Sequence, residues 1–135
     1  MPGHRRRRKV LVADRMKNSR EAMTEIFTDA GYAVSSASSG SETIEKLTRE
    51  SFDLIFCDFD MPRSSGPEMV RMARALNQKA KIIVISSSDG PSVRRRVKKD
   101  GAFDLLNKPL RRASLLQAAR NALETPSTSE RKEVS

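Results

Sequence analysis

Four polar side chains each close a short apolar run: Asp14 after Val10–Ala13, Asp58 after Leu54–Cys57, Ser86 after Ile82–Ile85, and Lys108 just beyond Phe103–Leu106. Packing alone gives no reason for a polar group at the end of each block. Two carboxylates, a hydroxyl and a lysine suit one chemistry well, which is holding a phosphoryl group on a carboxylate beside a divalent cation. A carboxylate nucleophile can form an acyl phosphate, and hard oxygen ligands would hold Mg²⁺. A lysine offers a point charge to one phosphate oxygen, and a hydroxyl can hydrogen-bond another. Taken singly, each residue has a plainer reading. Asp14 could cap the following helix, Ser86 could form a turn, and Lys108 could simply be solvated.

The chemistry requires the run ends to meet. Val10–Ala13, Leu54–Cys57 and Ile82–Ile85 are continuous apolar blocks, the pattern of strands buried on both faces. Tyr32–Ser36 reads as a weaker second strand and Phe103–Leu106 as a short fifth. Between them, Ala22, Met23, Ile26, Phe27 and Ala30 recur at helical spacing, followed by Gly31 at a helix-ending position. Further helices are read at Ser41–Arg49, with Ser41 as the N-cap, at Glu68–Leu76, around Val93 and Val97 up to Gly101, and at Ser114–Leu123. Strands alternating with helices predict βαβ units and a parallel sheet covered on both faces. Ligands of such open sheets bind at the carboxyl ends of the strands, where strand order reverses. Strand-end residues are therefore the informative ones.

The 135 residues suffice for one domain. The division read from composition is a basic, disordered tail at 1–8, a folded domain at 9–124 and a disordered, Ser/Thr-rich and charged tail at 125–135. No apolar run approaches the roughly 20 residues of a membrane span, and the block after the basic N-terminus is too short for a signal peptide. Cys57 is the only cysteine, which excludes an internal disulfide and a thiolate metal site. A reduced, cytoplasmic protein is expected. The net charge of +9 invites an acidic partner. Aromatic residues are only 4% and offer no stacking platform, so nucleic-acid binding is expected to be nonspecific at most.

The segments Lys9–Asp14, Phe52–Asp58 with Met61-Pro62 and Gly66, Ile82–Ser86, and Gly101-Ala102 with Lys108-Pro109 together resemble the response-regulator receiver domain of two-component signalling. The match covers nearly the whole folded region, in order. The resemblance implies a flavodoxin-like (βα)5 doubly wound parallel sheet of strand order 2-1-3-4-5. It also implies that Asp58 accepts phosphate from a histidine kinase or phosphotransfer protein. Asp14 and Asp58 would ligate Mg²⁺ with the backbone carbonyl of Asp60, Ser86 would be the switch hydroxyl, and Lys108 would bind phosphate. The helix 4/strand 5/helix 5 face, the family's usual docking surface, carries Arg94, Arg95, Arg96, Lys98, Lys99, Arg111 and Arg112, relieved by Asp100 and Asp104. An acidic protein target is expected there, although a charge run on a helix is often just a solvated face. With no output domain after the receiver, a non-enzymatic, stand-alone, chemotaxis-type signalling protein is the expectation.

Two positions depart from the family pattern. The usual pair of acids after the first strand is here Asp14-Arg15, which removes one oxygen ligand and should weaken Mg²⁺ binding. Arg15 could pair with unmodified Asp58, clamp the phosphorylated form, or point into solvent. Leu105 replaces a frequent aromatic, so the aromatic rotamer readout is not expected. These departures keep a second reading open, a pseudo-receiver that acts through protein contacts without phosphorylation. A remote rival is a haloacid-dehalogenase-type phosphatase, in which Asp58-Phe59-Asp60 would be the acid pair. The strand with an acid pair expected after the lysine is missing.

Overall fold

The computed structural model describes residues 6–61, 65–88 and 90–126. Five strands and five helices alternate: β1 (Lys9–Ala13), α1 (Lys17–Asp29), β2 (Ala33–Ala37), α2 (Gly40–Arg49), β3 (Leu54–Asp58), α3 (Gly66–Leu76), β4 (Lys81–Ser86), α4 (Pro91–Lys99), β5 (Asp104–Asn107) and α5 (Arg112–Glu124). The strands form one sheet in the order β2-β1-β3-β4-β5, and every pairing is parallel. This is the flavodoxin-like arrangement that the alternation and the family resemblance led us to expect.

Successive side chains of a strand point to opposite faces of a sheet, and the buried residues divide that way. Val10 and Val12 of β1 pack with Leu54 and Phe56 of β3, Met23 and Phe27 of α1, and Leu115 and Ala119 of α5. Leu11 and Ala13 face the other way, with Ile55, Ile82 and Val84, against Leu47 of α2, Val70 and Ala73 of α3, and Val97 of α4. Helices on both faces explain the unbroken apolar runs, because neither face of the central strands meets water.

Local signals set most helix ends. Ser65 caps α3, its hydroxyl accepting the Glu68 amide at 3.0 Å, and a proline follows in the first turn. For α2 the cap is Ser39, not Ser41. Its hydroxyl accepts the Glu42 amide at 3.1 Å, while the Glu42 carboxylate accepts the Ser38 amide. That reciprocal pairing needs an acid three residues after the cap, which Ser39 has and Ser41 lacks. The bond from Ser38 holds the Glu42 carboxyl below the usual carboxylate range. α1 begins at Lys17, ahead of its apolar stripe, and Asp14 is not its cap: Met16 occupies that place without a side-chain bond. Gly31 follows α1 with φ +98°, in the left-handed region.

Arg6, in the stretch read as a tail, ion-pairs with Asp53 at 3.3 Å. Residues 1–5 of that stretch and all of the C-terminal stretch after Pro126 lie outside the described residues, as do Pro62 of the Met61-Pro62 motif and residues 63, 64 and 89. Among the described residues, no helix is long and apolar enough to cross a membrane.

Candidate functional site

Strand register brings the predicted residues together. Ala13 of β1 pairs with Cys57 of β3, so Asp14 and Asp58 leave the sheet side by side. Asp58 in turn pairs with Ile85 of β4, and Ser86 pairs with Asn107 of β5, immediately before Lys108. All four residues therefore sit at the carboxyl edge of the sheet. β1 and β3 flank the point where strand order reverses, which is where open α/β sheets bind ligands.

Asp14, Asp58 and Ser86 are fully buried. The Lys108 Nζ reaches both acids, at 3.5 Å from Asp14 Oδ1 and 3.7 Å from Asp58 Oδ2. Backbone amides orient the Asp58 carboxylate: Asp60 donates to Oδ1 at 3.0 Å and Arg15 to Oδ2 at 3.4 Å. Asp14 Oδ1 accepts the Met16 amide at 2.9 Å, but Asp14 Oδ2 is buried with no hydrogen-bond partner. Burial raises the Asp14 carboxyl above its usual range. Asp58 adds to the rise, and the Met16 amide and Lys108 oppose it. Ser86 Oγ accepts the Ser88 amide at 3.0 Å, which leaves its own hydrogen available to an incoming oxygen. Asp60 is exposed, and its carboxylate accepts the Ser87 hydroxyl at 3.3 Å.

The donor set fits a divalent cation in part. An orphaned oxygen on Asp14, the Asp58 carboxylate and a backbone carbonyl at Asp60 are hard oxygen donors, and Mg²⁺ retains several waters when protein ligands are few. Among the described residues, however, no cluster of three or more acidic, His or Cys groups is placed to hold a metal ion. The position that would supply one more acid is Arg15. Its side chain is exposed and forms no ion pair or hydrogen bond among the described residues. Of the three arrangements open from sequence, pairing with unmodified Asp58 through the guanidinium is not the one adopted.

Leu105 is buried among Val84, Val97 and the rest of that core face, so it is a packing residue. Cys57 is buried as well, and burial pushes its thiol up to about 12, which makes it inert at neutral pH. Two supporting residues escaped the sequence reading. Arg20 donates to the Asp14 carbonyl at 2.9 Å and braces the loop after β1. A cation in the first turn of a helix opposes the helix dipole, and that mismatch was its available signal. Asn107 donates to the Ser88 carbonyl at 2.6 Å and ties β5 to the loop carrying Ser86 and Ser88. Its signal was a polar residue next to Lys108.

Arg94, Arg95, Arg96, Lys98, Lys99, Arg111 and Arg112 are all exposed. The two acids among them in sequence are already engaged, Asp104 by Arg94 at 2.7 Å and Asp100 by Arg71 of α3 at 3.2 Å. A groove of about 300 Å³ lies between α1 and the start of α5, lined by Ala22, Met23, Ile26, Pro109, Leu110 and Leu115 and bordered by Lys108.

A family model described as the response regulator receiver domain matches residues 10–120. The chain is 30% identical over 112 residues to the chemotaxis protein CheY of Thermotoga maritima, covering 82% of this chain and 93% of that one. It is 31% identical over 115 residues to the response regulator MprA of Mycobacterium leprae, covering 85% of this chain and 50% of that one, so it spans half the length of that relative. Among solved structures, CheY in the CheX–CheY–BeF₃–Mg²⁺ complex from Borrelia burgdorferi superimposes with a TM-score of 0.82. That pair shares 25% identity over 87% of this chain and 90% of the other.

Proposed function

The chain belongs to the response regulator receiver domain family, and from that premise we propose that it is a phosphorylation switch, modified on Asp58 by a histidine kinase or phosphotransfer protein. The observation that carries this reading is one buried carboxylate, Asp58, held by two backbone amides within 3.7 Å of a lysine ammonium.

In the reaction, an Asp58 oxygen attacks the phosphorus of the donor, and the bond from phosphorus to the donor atom breaks as the acyl phosphate forms. The Asp60 and Arg15 amides fix the carboxylate for attack. Lys108 faces the charge on the phosphoryl oxygens, and the Ser86 hydroxyl donates to one of them. Asp14, Asp58 and the Asp60 carbonyl would hold Mg²⁺, which would neutralise and orient the phosphoryl oxygens when bound. The groove between α1 and α5 opens beside Lys108 and suits an apolar donor helix laid across it. Ser86 accepts from Ser88, and Asn107 also holds Ser88, so movement of the hydroxyl toward phosphate is felt in the loop leading to α4.

Output is by protein contact through the basic face of α4, β5 and α5, toward an acidic target. Replacing Arg94, Arg95 and Arg96 with Glu should abolish capture of that target, and added salt should weaken it, because exposed charges are screened within about 10 Å at 0.1 M. Capture unaffected by both would reject the face. Phosphorylation itself is tested by intact-mass analysis after incubation with acetyl phosphate and Mg²⁺. A phosphoryl adduct on the wild type and none on Asp58→Asn is expected. The exposed Arg15, and the absence of a three-acid cluster among the described residues, favour one alternative, a pseudo-receiver that signals by contact alone. No adduct on the wild type would select it.

A further inference from the structure

Resting on Asp58 as the phosphoacceptor, we infer that Arg15 supplies the phosphoryl group with the positive charge that a metal ion would otherwise bring, so that Asp58 is phosphorylated without a divalent cation. Three observations carry this. The Arg15 amide lies 3.4 Å from Asp58 Oδ2, so this residue is anchored at the reacting carboxylate. Its guanidinium is exposed and forms no bond among the described residues, so it is free to turn toward a group seated on Asp58. Among the described residues, no group of three acidic, His or Cys side chains is placed to hold a metal ion.

Charge balance explains how one residue can replace two components. A carboxylate and a divalent cation together carry a single positive charge, which is the charge of one guanidinium. Exchanging an acid for Arg15 therefore leaves the pocket with the same net charge in the absence of metal. Guanidinium is also the side chain that best matches phosphate oxygens, through paired N–H donors. Its three-methylene stem starts beside Asp58 and lets the head fold over a group seated on that carboxylate. Lys108, fixed between Asp14 and Asp58, then faces the phosphoryl group together with Arg15.

The step balances without a metal. An Asp58 oxygen forms the bond to phosphorus, the bond between phosphorus and the acetate oxygen of acetyl phosphate breaks, and acetate leaves with that electron pair. Arg15 and Lys108 stay protonated throughout.

The test measures adduct formation on the full chain by intact mass, with acetyl phosphate in either Mg²⁺ or EDTA, for wild type, Arg15→Lys, Arg15→Gln and Arg15→Asp. Magnesium affinity of the unmodified proteins is measured in parallel by calorimetry. Wild type should be modified in EDTA, Arg15→Lys should retain part of that rate, and Arg15→Gln should lose at least tenfold. Arg15→Asp should be silent in EDTA, active in Mg²⁺, and bind Mg²⁺ at least tenfold more tightly than wild type. An adduct on wild type that requires Mg²⁺ and is unchanged in Arg15→Gln overturns this inference and leaves the phosphoacceptor reading intact. No adduct on wild type in either buffer overturns both.

Discussion

At the amino edge of the sheet, Asn77 is 7% exposed and fully bonded: its Oδ1 accepts the Phe52 amide at 2.6 Å, and its Nδ2 donates to the carbonyls of Leu47, Glu50 and Leu76 at 3.1, 3.2 and 3.1 Å. At the carboxyl edge, Asp14 is 0% exposed and leaves Oδ2 without a partner. The amino edge continues in the same manner, with Lys9 paired to Glu50 at 2.7 Å and Lys81 donating to the carbonyls of Ala122 and Thr125. The carboxyl edge gathers two acids around one lysine, and one of those acids is raised above its usual range. Asp100 Oδ2 is also buried without a partner, but Arg71 neutralises its other oxygen. A buried polar group whose bonds are complete stabilises the fold. One left incomplete at a strand end costs stability and is kept for what it can bind.

The largest expected effect lies at the amino edge. Asn77→Ala strands the Phe52 amide and the carbonyls that close α2, so urea denaturation should show a loss of about 2–4 kcal/mol. Phosphorylation of Asp58 should be unaffected. An equal loss of stability and modification would mean that the two edges are not separate in role.

A smaller change of opposite sign is expected at the carboxyl edge. Asp14→Asn removes a buried charge beside Asp58 and should raise stability by about 1 kcal/mol in EDTA at neutral pH. The pH dependence sharpens this test. The folded carboxyl is raised above its unfolded value, so the folded state holds the extra proton. The contribution of Asp14 to stability should therefore fall as pH rises from about 3.9, the ordinary aspartate value, through the raised value. Asp14→Asn should lose that slope. An identical pH profile in both proteins would show that Asp14 carries no such penalty.

The smallest effect is on Cys57. With its thiol raised to about 12, native protein should react negligibly with a disulfide reagent at pH 8, and react fully once unfolded in urea. Fast native labelling would mean that the strand end opens more readily than the packing implies.

Much of the carboxyl edge could be read from the chain. Continuous apolar runs gave the central strands, and the polar residue closing each run gave Asp14, Asp58, Ser86 and Lys108, because strand ends align in a parallel sheet. Asn77 was illegible. An asparagine after a helix has a plain reading as a helix terminus, and its bonds reach residues 25 and 30 positions away. Arg20 and Asn107 had only weak signals, a cation in the first turn of a helix and a polar residue beside Lys108, and neither says which backbone carbonyl would be met. The Ser39 cap was legible from Glu42 but was displaced by a second serine nearby.

Under the proposed function, side chains from four strand ends work as one pocket around Asp58. Backbone amide NMR of the protein, recorded before and after phosphorylation by a small-molecule donor, tests it most directly. The largest shifts should fall at Arg15, Asp60, Ser86, Ser88 and Lys108, and they should vanish in Asp58→Asn. Shifts confined to the sequence neighbours of Asp58, with Ser86 and Lys108 unmoved, would contradict it.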